Sequence, residues 1–161
     1  MLEHKNVAVV DGALRTGAME RVTASTSLSQ ARLCQAQGSL TAVRVLLDAG
    51  LNQQAIPLLW DAARHGCEAV LQAEGLRVRG EGHHLLVLDT IRDQYGHILG
   101  SYTKTLATLR KARNEEQYPS DERLNSTVEP FTSAEVEALA TYLQAFLSGI
   151  EAMLPLVPVY R

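Results

Sequence analysis

Aromatic residues and cysteines are scarce in this 161-residue chain, which contains two Phe, one Trp and two Cys. Two cysteines are too few for the disulfide framework of a small secreted protein, and Cys34 and Cys67 are too far apart in sequence for a paired metal motif. We therefore expect free, packed thiols. A redox link between them stays an alternative, because both lie about equally far from the turn at Gly50 and an antiparallel helix pair would bring them level.

The chain also has little net charge and no long apolar run. A formal charge of −3 argues against broad, charge-driven binding to nucleic acid or to anionic membranes, although it allows a local basic patch. No segment approaches the unbroken apolar length needed to span a bilayer, and the N-terminus lacks a basic stretch followed by an apolar signal core. We expect a cytoplasmic protein.

Leucine and alanine dominate the hydrophobic residues, which make up 46% of the chain, and this mixture favours helices over sheets. The length suits one domain. We predict an all-α protein, an antiparallel, up-and-down bundle of about five helices over residues 27–154. Residues 1–26, with a short β-like run at 7–10 followed by Gly, Ser and Thr, are predicted to be a flexible arm, and residues 155–161 a C-terminal tail.

Apolar residues spaced three and four positions apart mark the helices of this bundle. A capping box at 27-SLSQ-30 begins the first helix, and small residues around Gly66 let other helices approach the second, which we therefore expect at the centre. Thr132 and Glu135 form the clearest capping box. The predicted helices are 28–49, 52–74 with an Asn52 cap, 85–95 ending near Gly96, 101–117, and a last helix of about five turns after Thr132.

The stretch 110-RKARNEEQYP-119 carries the candidate site. Arg113 continues the apolar row of Leu109 on the fourth helix, so its charge lies on the inward side of the helix and needs a partner. Arg110 and Asn114 flank it on the same surface, and guanidinium groups bind phosphate bidentately. The structural alternative is an ion pair of Arg113 with a neighbouring acid. The candidate acids are Asp61, Glu115 and Glu116.

The order of these elements resembles the HEPN superfamily. A helical hairpin with an alanine-rich second helix is followed by a loop leading to histidine at a third helix, and by arginine and asparagine at the end of a fourth. The resemblance covers residues 28–154. The family motif is an arginine, a polar residue that is often asparagine, and a histidine a few residues beyond. Arg113 and Asn114 match its first two positions, but Tyr118 stands where the histidine belongs, as in a subgroup of small HEPN proteins whose motif reads RN followed by YP.

For catalytic HEPN proteins the resemblance implies metal-independent RNA cleavage at a cleft between two subunits, with arginine holding the phosphate and histidine moving protons. Tyrosine has an unperturbed pKa near 10 and is a poor base at neutral pH, so Tyr118 does not simply inherit that role. We therefore predict a HEPN-like module that binds nucleotide or RNA and cleaves it weakly or not at all. Arg113, Asn114 and Tyr118 form a degenerate catalytic motif. Arg110 joins Arg113 and Asn114 in holding phosphate.

The resemblance further implies a homodimer, a protein partner such as a nucleotidyltransferase, and a setting in toxin–antitoxin or stress and defence systems. Two alternatives to the binding module stay open. One is a metal-independent HEPN endoribonuclease, and the other is a purely structural interaction bundle. We expect neither a metal nor a cofactor, because the sequence has no zinc motif and no phosphate-cradling glycine loop.

Histidines and basic loop residues are secondary candidates. His83 and His84 are adjacent and point in different directions on a helix, so one of them is expected to cap or pack at the start of the third helix. His97 is expected in a solvent-facing turn, with a role as proton carrier as the alternative. Arg77 and Arg79 lie in a glycine-flanked loop, where they either extend a phosphate-binding surface or remain solvated.

Overall fold

The structure is a computed structural model that describes residues 2, 6–80, 84–117 and 131–161, with the backbone alone at 103–104 and 115–117. Its described part is mostly helical with one small sheet, which confirms the all-α prediction. The elements, in chain order, are α1 Ala8–Thr16, β1 Met19–Arg21, α2 Thr26–Asp48, α3 Asn52–Glu74, β2 Leu76–Val78, α4 His84–Gln117, α5 Ser133–Met153 and a 3-10 turn Leu154–Leu156.

The helices α2 and α3 form the antiparallel hairpin that the sequence predicts, with the turn at Gly50. Their caps differ from the prediction. Ser25 rather than Ser27 caps α2, since the Oγ atom of Ser25 accepts a hydrogen bond from the backbone N–H of Leu28 at 3.2 Å. The predicted Asn52 cap is also wrong, because Leu51 occupies the N-cap of α3 and provides no side-chain hydrogen bond.

Helix α3 lies at the centre of the bundle, as predicted, and is buried on several faces. Gly66 marks the closest approach of another helix. A Cβ atom built on Gly66 would lie 2.6 Å from the Cδ2 atom of Leu147 and 3.2 Å from the Cδ1 atom of Ile150, both on α5. The tips of these two buried side chains fill the space that a side chain at position 66 would take, so a larger residue there would require them to shift.

Helix α5 begins at the predicted capping box. The Oγ1 atom of Thr132 accepts from the N–H of Glu135 at 3.3 Å, and the N–H of Thr132 donates to the Oε2 atom of Glu135 at 2.8 Å. Its apolar row is buried, as the spacing of three and four predicts. The row contains Val136, Leu143, Phe146, Ile150 and Met153.

One helical segment, Ser133–Leu156, is long and apolar enough to cross a membrane by length and composition. The expectation that no segment approaches that length is therefore wrong. In this structure the apolar row of α5 packs against α2, α3 and α4, and residues such as Phe146 and Leu147 are buried in the core. A central helix of a bundle has this composition because it is covered by its neighbours.

Residues 84–117 form one continuous helix, so the predicted helix end near Gly96 is wrong. This helix does not run straight. A straight helix would separate Leu88 from Ala107 by about 28 Å, yet both residues line the same cavity of about 60 Å³. Leu85 and Arg110 line it as well. The two halves of α4 therefore fold back towards each other, and the bend lies in the stretch that contains Gly96 and Gly100.

The first half of α4 is anchored to α3 by a buried polar contact. The hydroxyl of Tyr95 donates a hydrogen bond of 2.7 Å to the Oε1 atom of Glu74, and both residues are fully buried. Burial, followed by the charge of Glu74, raises the pKa of the Tyr95 phenol, which keeps it in its donating form. The second half of α4 instead contacts α5, where the ring of Tyr102 lies 5.5 Å from that of Phe146.

Residues 1–26 were expected to be a flexible arm, but residues 8–16 form α1 and residues 19–21 form β1. Val10 is fully buried in the core, and Asp93 of α4 accepts a hydrogen bond of 3.3 Å from the N–H of Val9. Strand β1 pairs antiparallel with β2, with Glu20 opposite Arg77. The local glycines and the short apolar run suggested turns and a strand, but packing against α4 favours a helix there.

The C-terminal residues are also fixed rather than a free tail. The N–H of Tyr160 donates to the carbonyl of Glu74 at 2.9 Å, and its hydroxyl donates to the Oδ1 atom of Asp11 at 2.7 Å. Burial and this hydrogen bond raise the pKa of Tyr160 to about 12. The guanidinium of Arg21 lies 5.0 Å above the same ring. Tyr160 therefore connects α1, β1 and the end of α3.

The contact at Gly66 predicts the stability of two matched glycine variants. Gly66→Ala should lower the free energy of unfolding by about 1 kcal/mol or more, because overpacking outweighs the gain in helix propensity. Gly38→Ala is the control, since a Cβ atom there meets nothing within 4 Å. It should raise the free energy of unfolding by about 0.5–1 kcal/mol. Urea denaturation of both variants measures this, and equal stabilisation by both would contradict the packing of α5 against Gly66.

Candidate functional site

Arg113 lies near the end of α4, on the row that the sequence predicts. Leu106 and Leu109 of this row are buried, and Arg113 is half-buried. Arg113 thus continues the buried row as a half-buried residue. A half-buried charge loses part of its hydration and is stabilised by a counter-charge or a bound anion.

No carboxylate among the described side chains lies within ion-pair distance of Arg113. Asp61, one of the three predicted partners, is instead paired with Arg64, at 3.4 Å between its Oδ1 atom and Nη2 of the arginine. The ion pair of Arg113 with Asp61 is therefore not formed. The side chains of Glu115 and Glu116 lie outside the described residues.

A network of charges covers the middle of α3 beside this position. Nη1 of Arg64 lies 2.6 Å from Oε1 of Glu68. The other oxygen of this carboxylate, Oε2, lies 3.5 Å from Nη1 of Arg32 on α2. Oε2 also contacts Nδ1 of His65 at 3.2 Å. Arg64 lies three residues after Asp61 and four before Glu68, so one turn of helix on either side supplies both carboxylates. These acids are therefore occupied by Arg64.

The carboxyl group of Glu68 has a lowered pKa. Burial alone would raise its pKa, but the hydrogen bond from His65 and the charge and hydrogen bond of Arg64 outweigh burial. Glu68 is therefore ionised at neutral pH and holds Arg64 in place.

His84, the first residue of α4, lies in the field of the same groups. Its pKa is lowered by burial and by the positive charges of Arg64 and Arg113, against smaller opposite effects of Glu68 and Asp61. The imidazole is therefore unprotonated at neutral pH. This places His84 and Arg113, at opposite ends of α4, in one electrostatic neighbourhood, as the folded-back helix requires. His84 was expected to cap or pack at a helix start and was not assigned to the site.

The structure gives different positions to the other predicted site residues. Arg110 is exposed and lines the cavity between the two halves of α4 together with Arg92. Asn114 is exposed, and the described structure shows no hydrogen bond between it and Arg113. Tyr118 lies outside the described residues. Arg110, Arg113 and Asn114 thus share the last turns of α4, with Arg113 the most buried of the three.

Arg77, Arg79 and His97 are the secondary candidates from the sequence that the structure describes. Arg77 and Arg79 both pair with Glu20 across the small sheet, and both side chains remain largely exposed. His97 is exposed, as predicted, and lies in helical backbone within the stretch where α4 bends. Among the described residues, no group of three or more His, Cys, Asp or Glu could hold a metal ion.

The two cysteines are free, and they differ in exposure. Cys34 is exposed on α2, whereas Cys67 is buried in α3. Burial, with a smaller effect from Glu68, raises the pKa of the Cys67 thiol well above its usual range. Cys67 is therefore a packed, unreactive thiol, as predicted, while Cys34 is not packed.

Arg64 and His84 are the residues of this region that the sequence analysis missed. A signal for Arg64 was present, because 61-DAARHGCE-68 places acids three before and four after it on a helix of otherwise small residues. His84 had no such signal, since its approach to Arg113 depends on the fold of α4.

Searches of protein-family models, of curated proteins and of solved structures found no match to this chain. A functional assignment therefore depends on the residues and geometry described above.

The charge network of α3 predicts a pH-dependent stability. Because the pKa of Glu68 is lower in the folded state, its contribution is complete above its unfolded pKa of about 4.3 and is lost as pH falls through the folded value. Glu68→Gln should therefore cost about 1–2 kcal/mol at pH 7, and the difference from the unmodified protein should shrink towards pH 3.

The matched control for this measurement is Glu137→Gln. Glu137 pairs with Arg44, and both side chains are about half exposed, so we expect a change within about 0.5 kcal/mol at both pH values. Urea denaturation at pH 7 and pH 3 compares the variants. A constant cost of Glu68→Gln across this range would contradict the role of its charge.

Proposed function

We propose that this protein is a HEPN-like module that binds nucleotide or RNA phosphate through Arg113, Arg110 and Asn114. The observation that carries the proposal is the state of Arg113. The residue is half-buried, and no carboxylate among the described side chains lies within ion-pair distance of it. An unpaired charge in a partly buried position is costly, and a bound phosphate would compensate it.

The chemistry of the three side chains fits a phosphate group. Arginine presents a planar fork of donors that matches two phosphate oxygens. Arg110 and Asn114 lie three residues before and one after Arg113, and both are exposed, so they can reach a ligand held at the same end of α4. Asn114 adds an amide donor, which suits a sugar or phosphate oxygen.

The helix order supports the HEPN part of the proposal. An antiparallel hairpin of α2 and α3 precedes a helix that starts at His84 and carries Arg113 and Asn114 towards its end. The homodimer, a protein partner and a setting in toxin–antitoxin or stress and defence systems belong to the same proposal. They are drawn from the resemblance.

Removing Arg113 separates a ligand role from a structural one. Arg113→Ala should abolish retention of a single-stranded oligoadenylate while changing the melting temperature by no more than a few degrees. The control is Arg44→Ala, which removes an exposed arginine of α2 that is paired with Glu137, and it should retain binding. Fluorescence anisotropy and thermal unfolding measure the two properties.

The opposite result would favour the structural interaction bundle. If Arg113→Ala costs about 3–5 kcal/mol, as expected for a broken buried pair, and leaves oligoadenylate binding intact, Arg113 is part of the fold and not of a site.

A second candidate function, metal-independent RNA cleavage, is favoured by one observation. His84 places an unprotonated imidazole in the neighbourhood of Arg113, and a neutral imidazole can accept a proton from a ribose hydroxyl. We still expect binding to exceed cleavage, because the only phenol or imidazole that the motif itself supplies is Tyr118, whose pKa near 10 makes it a poor base.

Cleavage of single-stranded RNA in the presence of chelator tests this candidate. The unmodified protein should cut little or none, and Tyr118→His should increase cutting because it restores a group that titrates between about pH 5 and 8. Robust cutting by the unmodified protein that is lost in both Arg113→Ala and His84→Gln would instead establish the ribonuclease function.

A further inference from the structure

A cavity of about 140 Å³ lies between the α2–α3 hairpin and strand β2. The apolar part of its wall consists of Leu71 of α3 and of Leu76 and Val78 of β2. Leu71 and Leu76 are almost fully buried, and Val78 is half-buried. One side of the cavity is therefore a hydrocarbon surface that belongs to the core of the protein.

Polar side chains form the rest of the described wall. They are Arg32 of α2, Glu68 and Gln72 of α3, and Arg77 of β2. The amide of Gln72 is fixed, because its Nε2 atom donates a hydrogen bond of 3.2 Å to the carbonyl of Thr23. Apolar walls with a few polar groups are typical of small-molecule sites, in which the polar groups orient the ligand.

Both arginines of the cavity keep donors for a ligand. Nη1 of Arg32 donates to Oε1 of Gln35 at 3.1 Å and lies 3.5 Å from Oε2 of Glu68. Nε of Arg77 donates to Oε1 of Glu20 at 2.7 Å, and Nη2 of Arg77 contacts the same oxygen. Among the described residues, Nη2 of Arg32 and Nη1 of Arg77 contact no acceptor. Each guanidinium therefore retains N–H groups that can bind an anion.

The ion pairs around the cavity leave one positive charge unmatched. They join four arginines, four positive charges, to three carboxylates, three negative charges, so the difference is one positive charge. His65, whose imidazole contacts Glu68, is left out of this sum. The arginines are Arg32, Arg64, Arg77 and Arg79, and the acids are Glu20, Asp61 and Glu68.

We propose that this cavity binds a small apolar monocarboxylate, an anion with one carboxylate and a hydrocarbon body of about six carbons. Arg32 and Arg77 hold the carboxylate. The hydrocarbon body lies against Leu71, Leu76 and Val78. This site does not depend on the phosphate-binding role of Arg113, since it is built from other residues.

Size and charge both favour this class of ligand. An apolar cavity of about 150 Å³ holds one benzene molecule, so a volume of about 140 Å³ suits a body of similar size. One carboxylate supplies the single negative charge that the ion pairs leave unmatched, and its two oxygens match the parallel N–H groups of a guanidinium. A dianion would exceed this charge and would be repelled more strongly by Glu68 in the wall.

Titrations of the full chain, followed by heteronuclear NMR, test the proposal with three probes. Hexanoate has the charge and the hydrocarbon body, hexanamide has the same body without the charge, and acetate has the charge without the body. We expect hexanoate to shift the backbone N–H signals of residues 71–78 and to saturate. Its affinity should be about tenfold higher than that of hexanamide, because its hydrogen bonds to arginine are charge-assisted. Acetate should not saturate these signals.

Variants of the polar wall should change the affinity for hexanoate in opposite directions. Arg77→Gln should lower it about tenfold and leave the affinity for hexanamide unchanged. Glu20→Gln removes the carboxylate that pairs with Arg77 and should raise the affinity for hexanoate about threefold. The control is Arg44→Gln, which changes an exposed arginine of α2 that pairs with Glu137, and it should leave both affinities unchanged.

A variant of the apolar wall tests the position of the hydrocarbon body. Val78→Phe should fill part of the cavity and weaken hexanoate and hexanamide alike, with the spectrum of the free protein showing that the fold is kept. Equal affinities of hexanoate and hexanamide for the unmodified protein would overturn the proposal. It would also be overturned by shifts that do not saturate, by acetate binding as tightly as hexanoate, or by hexanoate binding that neither Arg77→Gln nor Val78→Phe weakens.

Discussion

The close approach of α5 to α3 at Gly66 is the constraint on which the rest of the bundle depends. Because Gly66 has no side chain, the tips of Leu147 and Ile150 occupy the space that a Cβ atom would take. This brings α5 against the central helix α3. Phe146 of α5 also contacts Tyr102 of α4, with 5.5 Å between the centres of the two rings. The position of α5 therefore determines where the second half of α4 can pack.

The two halves of α4 are anchored to different partners. The first half is held to α3 by the buried hydrogen bond between Tyr95 and Glu74, and the second half is held to α5 by the ring of Tyr102. These two contacts lie about two turns apart along α4. Gly96 and Gly100 lie in the stretch between them, where the lack of a side chain makes a bend less costly.

The electrostatic character of the candidate site depends on which arginine is paired locally. Arg64 forms ion pairs with both nearby carboxylates, because Asp61 and Glu68 lie within about one turn of it on the same helix. These pairs form within α3 and do not depend on the packing of other helices. Arg113 comes from another helix and is left without either of them. The phosphate-binding role proposed for Arg113 depends on this division of partners among the described side chains.

The sequence by itself determined the helical class, the α2–α3 hairpin, the central place of α3, the Thr132 cap and the inward row that ends at Arg113. Each of these features depends on the spacing, capping and size of residues that are close together in the sequence. It did not determine α1, the small sheet, the fixed C-terminus at Tyr160 or the continuity of α4, because each of these is stabilised by contacts with residues distant in the chain. The electrostatic effect of Arg113 on His84 belongs to the same class, because no local pattern relates the two residues and the effect depends on how α4 folds back.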